Sequence, residues 1–98
     1  IGGRIDRNLE EHPTNSWLYL LRFGVEIATE NYSMNRVNES IVSSLTLSRN
    51  EDDKRKSLNF GINMMDNAMN QGNLSEQDTE LIIINLFENT NLNKDLKI

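Results

Sequence analysis

The side chains that could do acid–base or nucleophilic chemistry are few and do not converge. The chain of 98 residues has one histidine and no cysteine, which excludes a zinc–thiolate site and a histidine-rich metal cage. His12 has no serine or acid spaced to form a catalytic set with it, as is typical of a surface histidine. The adjacent acids Glu10–Glu11 and Asp52–Asp53 point apart in regular structure, so they do not indicate a carboxylate dyad. We therefore expect no catalytic residue, no metal, no cofactor and no enzymatic activity.

Asparagine is the most unusual feature of the composition, with fifteen among 98 residues. On a helix over residues 51–71, four of them fall within an arc of about 80°: Asn59, Asn63, Asn67 and Asn70. An amide both donates and accepts, so such a row can pair with the backbone of an extended peptide. The row resembles the asparagine ladders of armadillo-type helical repeats, over four residues of one helix, and it assigns no family. A solvated polar face is the alternative interpretation.

Two apolar side chains lie at the edge of this row. Phe60 and Met64 are one turn apart and outside the face centred on Ile62 and Met65, so they form a candidate docking patch. Isolated exposed apolar residues are also common, and that alternative stays open. The predicted partner-binding residues are thus Asn59, Phe60, Asn63, Met64, Asn67 and Asn70. Phe60→Ala and Asn63→Ala should weaken binding, whereas Ile62→Ala should destabilise a core.

Charge disfavours a nucleic-acid partner. The net charge is −5 and the isoelectric point is about 4.8, whereas a phosphate-binding surface is basic. The only basic cluster, Lys54 to Lys56, directly follows three acids. The pairs Glu51–Arg55 and Asp52–Lys56 have the spacing and order of stabilising ion pairs within one helix, which favours a salt-bridged first turn.

These residues must be positioned by a small domain, since 98 residues suffice for about one core. We expect an all-α domain of four helices, arranged as two antiparallel hairpins in a closed bundle or a short HEAT- or armadillo-like stack. Residues 1–13 are expected to be an irregular lead-in and residues 14–98 a single helical domain. Because the chain opens at Ile1 without a methionine, we expect it to be processed or an excerpt of a longer chain.

Capping residues and apolar periods set the expected helices. The N-cap candidates are the trio Thr14, Asn15 and Ser16 for the first helix, then Ser33, Asn50 and Ser75, and Gly72 is placed to end the third helix. They bound helices at about 15–31, 34–48 and 51–71 and a fourth after Ser75. The apolar face of the first is assigned to Trp17, Leu20, Leu21, Gly24, Val25 and Ala28, and that of the second to Met34, Val37, Ile41, Val42 and Leu45.

The run Leu81–Phe87 suits a buried strand or a buried helix, and the cap at Ser75 favours a helix. The tail Asn91–Ile98 starts a possible fifth helix. No apolar stretch approaches the roughly 18–20 residues that span a bilayer, and no signal-peptide pattern is present. We therefore expect a soluble, cytoplasmic protein.

The stretch from Val25 to Leu45, around the residues ATENYSMN, resembles the helix–turn–helix half of ribbon-helix-helix repressors. That resemblance implies a small dimeric DNA-binding regulator, with phosphate contacts from Arg4, Arg7, Arg22 and Arg36 gathered at one end. Pro13 and the acids before it occupy the place of the basic strand that such a repressor inserts into DNA. The main prediction is instead a non-catalytic protein-binding module, acting as an adaptor, regulator or assembly subunit, whose partner is another protein or a second copy.

Overall fold

The structure, a computed structural model, describes the backbone of residues 2–90 and the side chains of residues 3–88. Every regular element in this range is helical, which confirms the all-α prediction. The helices number five rather than the expected four: α1 (Gly2–Glu11), α2 (Ser16–Ile27), α3 (Met34–Thr46), α4 (Glu51–Asn70) and α5 (Glu76–Thr90). The run Leu81–Phe87 lies within α5, so its helical interpretation is confirmed. The helix expected at Asn91–Ile98 falls outside the described residues.

The prediction of an irregular lead-in over residues 1–13 is wrong, because most of that segment forms α1. Ile5 and Leu9 lie one turn apart on the same face and are both buried, and α1 packs against α2. Pro13 follows the end of α1, where the restricted backbone before a proline favours termination. In the sequence Ile1, Ile5 and Leu9 recur every four residues among charged ones, a helical spacing that the prediction did not use. The contact with α2 supplies the stabilisation that the local pattern lacks.

Helices α2 to α5 begin at N-cap residues that the sequence predicts. In each, the cap side chain accepts a hydrogen bond from a first-turn backbone N–H: Asn15 from Trp17 (3.1 Å), Ser33 from Arg36 (3.4 Å), Asn50 from Asp53 (2.9 Å) and Ser75 from Asp78 (3.1 Å). These caps satisfy backbone donors that have no partner within the helix. The polar residues between the apolar segments therefore fix where four of the five helices start.

The end of α4 is set by Gly72, as predicted. Its φ of 79° lies in the left-handed region that glycine adopts at no steric cost. The N–H of Gly72 donates to the Met69 carbonyl at 3.0 Å, and the N–H of Asn73 donates to the Ala68 carbonyl at 2.9 Å. This pair of bonds is a Schellman motif, which satisfies carbonyls at the end of the helix and turns the chain away from the α4 axis.

The core lies between α2 and α3, which pack closely as the expected hairpin. The fully buried apolar side chains of these two helices are Leu20, Phe23 and Ile27 from α2 and Val37, Ile41 and Leu45 from α3, and Met65 of α4 and Ile82 of α5 complete the core. The face predicted for α3 is therefore confirmed. The face predicted for α2 is only partly right, because Leu20 is buried but Trp17 and Leu21 are 43% and 49% exposed. α2 is apolar around most of its circumference, so its period alone does not select the face that α3 covers.

The expected second hairpin does not form as a packed pair. α4 packs across α2 and α3, whereas α5 packs against α3, and α4 and α5 make few contacts with each other. The reason lies in their connection, because Leu74 is itself buried in the core. α5 starts from that point and buries Ile82 and Leu86. A groove is left between α4 and α5.

Candidate functional site

Five of the six predicted partner-binding residues lie on the face of α4 that points away from the core, whereas Met64 packs against the core. The buried residues of α4 are Ser57, Gly61, Met65 and Ala68. The predicted set, which we call the α4 ridge, consists of Asn59, Phe60, Asn63, Met64, Asn67 and Asn70. All of its members are exposed except Met64, which is half-buried. The four amides therefore form a continuous solvent-facing strip along about 16 Å of helix, at 1.5 Å per residue.

The sequence pattern predicts Ile62 at the centre of the buried face, but the structure places it at the flank of that face. Its side chain is 46% exposed, whereas Met65 is 2% exposed. The buried face centres instead on Gly61, where a Cβ atom would lie 3.0 Å from Cδ1 of Ile41. Because Gly61 has no side chain, α4 can approach α3 closely, with the Gly61 side of the helix facing α3. The neighbouring Asn63 is exposed, so the polar strip still faces solvent.

Phe60 contacts Trp17, which the helical period predicts on the apolar, core-facing side of α2. The rings of Trp17 and Phe60 meet edge to face, with centroids 6.3 Å apart and an interplanar angle of 89°. This geometry suits the opposite charge distribution of ring edge and ring face. Trp17 is 43% and Phe60 50% exposed, so the pair presents a large apolar area to solvent. The sequence shows that Trp17 is one helical turn from Leu21, but not that α4 lies beside them.

Met64 joins the same surface through α2. Its Sδ atom lies 2.5 Å from the position that a Cβ of Gly24 would take, so the absence of a side chain at Gly24 creates the space that Met64 fills. Leu21 is one turn from Trp17 on α2 and is 49% exposed. Trp17, Leu21, Phe60 and Met64 thus form an apolar patch at the junction of α2 and α4, which we call the aromatic patch. It borders the amides of the α4 ridge.

Charged residues near the start of α4 are paired locally. Lys56 Nζ lies 3.2 Å from Asp52, which confirms that predicted ion pair, and Arg49 lies 3.2 Å from Asp53. These interactions partly neutralise the basic cluster and stabilise the first turn of the helix. The cluster therefore has the arrangement of a capped helix start.

A second charged network joins α1, α2 and α3. Arg22 lies 3.8 Å from Asp6 and 3.2 Å from Glu39, and Arg36 lies 3.2 Å from both Asp6 and Glu26. The hydrogen bonds from Arg36 to Asp6 and then to Glu26 raise the pKa of the Arg36 guanidinium above its ordinary value. Two of the four arginines proposed for phosphate contacts are thus bound to three acids. The segment ahead of α2, which a ribbon-helix-helix repressor needs as a strand, is helical.

The connection between α2 and α3 is tied to α5 by Tyr32. Its hydroxyl donates a hydrogen bond to a carboxylate oxygen of Asp78. Burial of the phenol, together with this bond and the negative charge of Asp78, raises the pKa of Tyr32. The contact holds α5 against the loop before α3.

Among the residues that the structure describes, no group of three or more His, Asp or Glu side chains could hold a metal ion. His12 and the pair Glu10–Glu11 are exposed on or beside the end of α1. No described helix combines the length and apolar character needed to cross a bilayer. Comparison with protein-family models, with curated proteins and with solved structures finds no significant match.

Proposed function

We propose that the protein is a non-catalytic protein-binding module, an adaptor, regulator or assembly subunit, that docks its partner on the α4 ridge and the aromatic patch. The observation that carries this proposal is the exposed edge-to-face pair of Trp17 and Phe60. Large aromatic side chains dominate the binding energy of protein interfaces when a partner covers them. The aromatic patch would supply such an anchor.

The amides beside the patch support the same proposal. Interfaces surround an apolar centre with a polar rim that forms hydrogen bonds. Asn59, Asn63 and Asn67 are exposed at one-turn spacing next to Phe60 and would provide that rim. Their amides can both donate to and accept from a partner backbone. The partner is another protein or a second copy of the chain, and light scattering distinguishes the two.

The test is recovery of a partner from an extract of the source cells on the immobilised full chain. Phe60→Ala and Asn63→Ala should each reduce recovery of the same protein, because they remove an anchor and a rim contact. Leu81→Ala is the matched control, since Leu81 is 53% exposed on α5 and belongs to neither surface. All three variants should stay folded at the temperature of the assay, with the larger thermal shift in Phe60→Ala because it loses the ring contact with Trp17. Equal recovery by Phe60→Ala and wild type would contradict the proposal, as would the absence of both a partner and a dimer.

A further inference from the structure

A second apolar surface lies on the opposite flank of α4 from the aromatic patch. The groove between α4 and α5 encloses about 460 Å³. Its apolar lining comes from both helices: Leu58, Ile62 and Met69 of α4 and Ile83, Leu86 and Phe87 of α5. Ile62 and Ile83 are 46% and 38% exposed, so the groove opens to solvent. We call it the α4–α5 groove.

The polar groups of the groove do not suit a small polar ligand. Its lining includes the Asn63 amide, the Asp66 carboxylate and the Thr79 hydroxyl. The Thr79 hydroxyl already donates to the Ser75 carbonyl at 2.9 Å. A polar ligand needs a few precisely placed polar groups to fix its orientation, whereas here the apolar side chains form two rows along two helices. Such a pair of rows is the form of groove that accepts the apolar face of a helix.

Acidic side chains outnumber basic ones beside the groove, where the basic side chain on the groove side of α4 is Arg55, one turn before Leu58. Residues 57–90 contain no lysine, arginine or histidine and five acids, of which Asp78 is half-buried against Tyr32 and the others are exposed: Asp66, Glu76, Glu80 and Glu88. Asp66 lines the groove, and Glu80 is three residues before Ile83 and seven before Phe87, which places it on the same side of α5. Acids at the rim of an apolar groove complement basic side chains beside an apolar stripe.

We propose that the α4–α5 groove binds an amphipathic helix of a partner protein, with an apolar stripe that enters the groove and lysine or arginine on both sides of it. From Leu58 to Met69 the α4 wall runs about 16 Å, the length of about three helical turns. The occupant therefore carries apolar residues at i, i+3 or i+4, and i+7. This surface is separate from the aromatic patch and shares Asn63 with the α4 ridge. Phe60→Ala therefore tests the patch and Ile62→Lys the groove, so the two proposals can fail independently, and together they describe an adaptor with two docking sites.

The test uses a labelled helical peptide of about 14 residues, with leucine along one stripe and lysine elsewhere, titrated with the full chain and followed by fluorescence anisotropy. Two control peptides are used. The first has the same composition in scrambled order, and the second keeps the leucine stripe but has glutamate in place of lysine. We expect the striped lysine peptide to bind at least about tenfold more tightly than either control, and binding to weaken as salt rises. Emission of Trp17, the single tryptophan, should not shift.

Variants assign the binding to the groove. Ile62→Lys should weaken the striped peptide at least about tenfold, whereas Leu81→Lys, which changes the net charge equally on the outer face of α5, should change it less than about twofold. Ile83→Lys repeats the test from the other wall, and circular dichroism verifies that each variant is helical. Phe60→Ala should leave peptide binding unchanged, which separates this result from the fate of the aromatic patch.

Three outcomes would overturn the proposal. The first is equal affinity for the striped and scrambled peptides, which would show attraction to charge alone. The second is an equal effect of Ile62→Lys and Leu81→Lys. The third is a dimer of the wild-type chain in light scattering that Ile62→Lys dissociates, which would assign the groove to a second copy.

Discussion

The face of α4 that enters the core is tested by two neighbouring substitutions, Met65→Ala and Ile62→Ala. Met65 is 2% exposed among the core side chains, and truncation of a buried methionine to alanine costs about 2–5 kcal/mol of unfolding free energy. Ile62 is 46% exposed. Full burial of an isoleucine contributes about 1.5–3 kcal/mol, so about half of that is at stake, and the better helix propensity of alanine offsets a few tenths. Ile62→Ala should therefore cost less than about 1 kcal/mol.

The assay is urea unfolding of the full chain followed by circular dichroism at 222 nm. Met65→Ala should lower the midpoint strongly at an unchanged slope, and should lower the thermal midpoint by roughly 10 °C or more, since 1 kcal/mol corresponds to about 4–8 °C in a domain of this size. Such a loss is a large share of the 5–15 kcal/mol that typical domains have.

Two results would refute this assignment of faces. If Ile62→Ala costs as much as Met65→Ala, Ile62 is buried and the α4–α5 groove is closed in solution. If Met65→Ala is nearly neutral, α4 does not pack through the Gly61–Met65 face. The second result would also remove the basis for the α4 ridge, because the ridge is defined by its position opposite the buried residues. The first would instead restore the buried face centred on Ile62 and Met65 that the sequence predicts, which also leaves the amides exposed.

Three further substitutions test other parts of the fold. Tyr32→Phe should cost about 1–2 kcal/mol through the lost hydrogen bond to Asp78. The pKa of Tyr32 is raised in the folded chain, so the stability that the protonated phenol contributes is complete below the unfolded pKa and is lost as pH rises through the folded pKa. In urea titrations the wild type should therefore lose more unfolding free energy than Tyr32→Phe between about pH 8 and about pH 11. Gly72→Ala should cost about 1–2 kcal/mol in thermal unfolding, since alanine is strained at a φ of 79°, and a neutral effect would contradict the Schellman ending. Gly61→Leu should cost at least about 1–3 kcal/mol by overpacking against Ile41, and unchanged stability would argue against the close approach of α4 to α3.

The parts of the fold that local physics determines could be predicted from the sequence. The N-caps at Asn15, Ser33 and Asn50 and the glycine ending at Gly72 depend on side chains within a few residues of each helix end. α1 was missed although Ile1, Ile5 and Leu9 recur at helical spacing, because the glycines at its start and the short length of the segment favoured an irregular interpretation.

The candidate site was only partly predictable for the same reason. The amide strip of α4 follows from helical spacing alone. The contact between Trp17 and Phe60 depends on the approach of α2 to α4. The sequence pattern assigned Trp17 to the core-facing side of its helix and therefore did not predict this contact. The α4–α5 groove depends on burial of Leu74 and the packing of α5 on α3, neither of which leaves a periodic signal in the sequence.

Photo-crosslinking at position 60 tests the proposed docking role most directly. The full chain with p-benzoylphenylalanine in place of Phe60 is expressed in the source cells, and the same substitution at Leu81 serves as the control. The account predicts a discrete adduct, heavier than the 11.3 kDa chain, that forms at position 60 and far less at position 81. The absence of an adduct at position 60, or equal adducts at both positions, would contradict it.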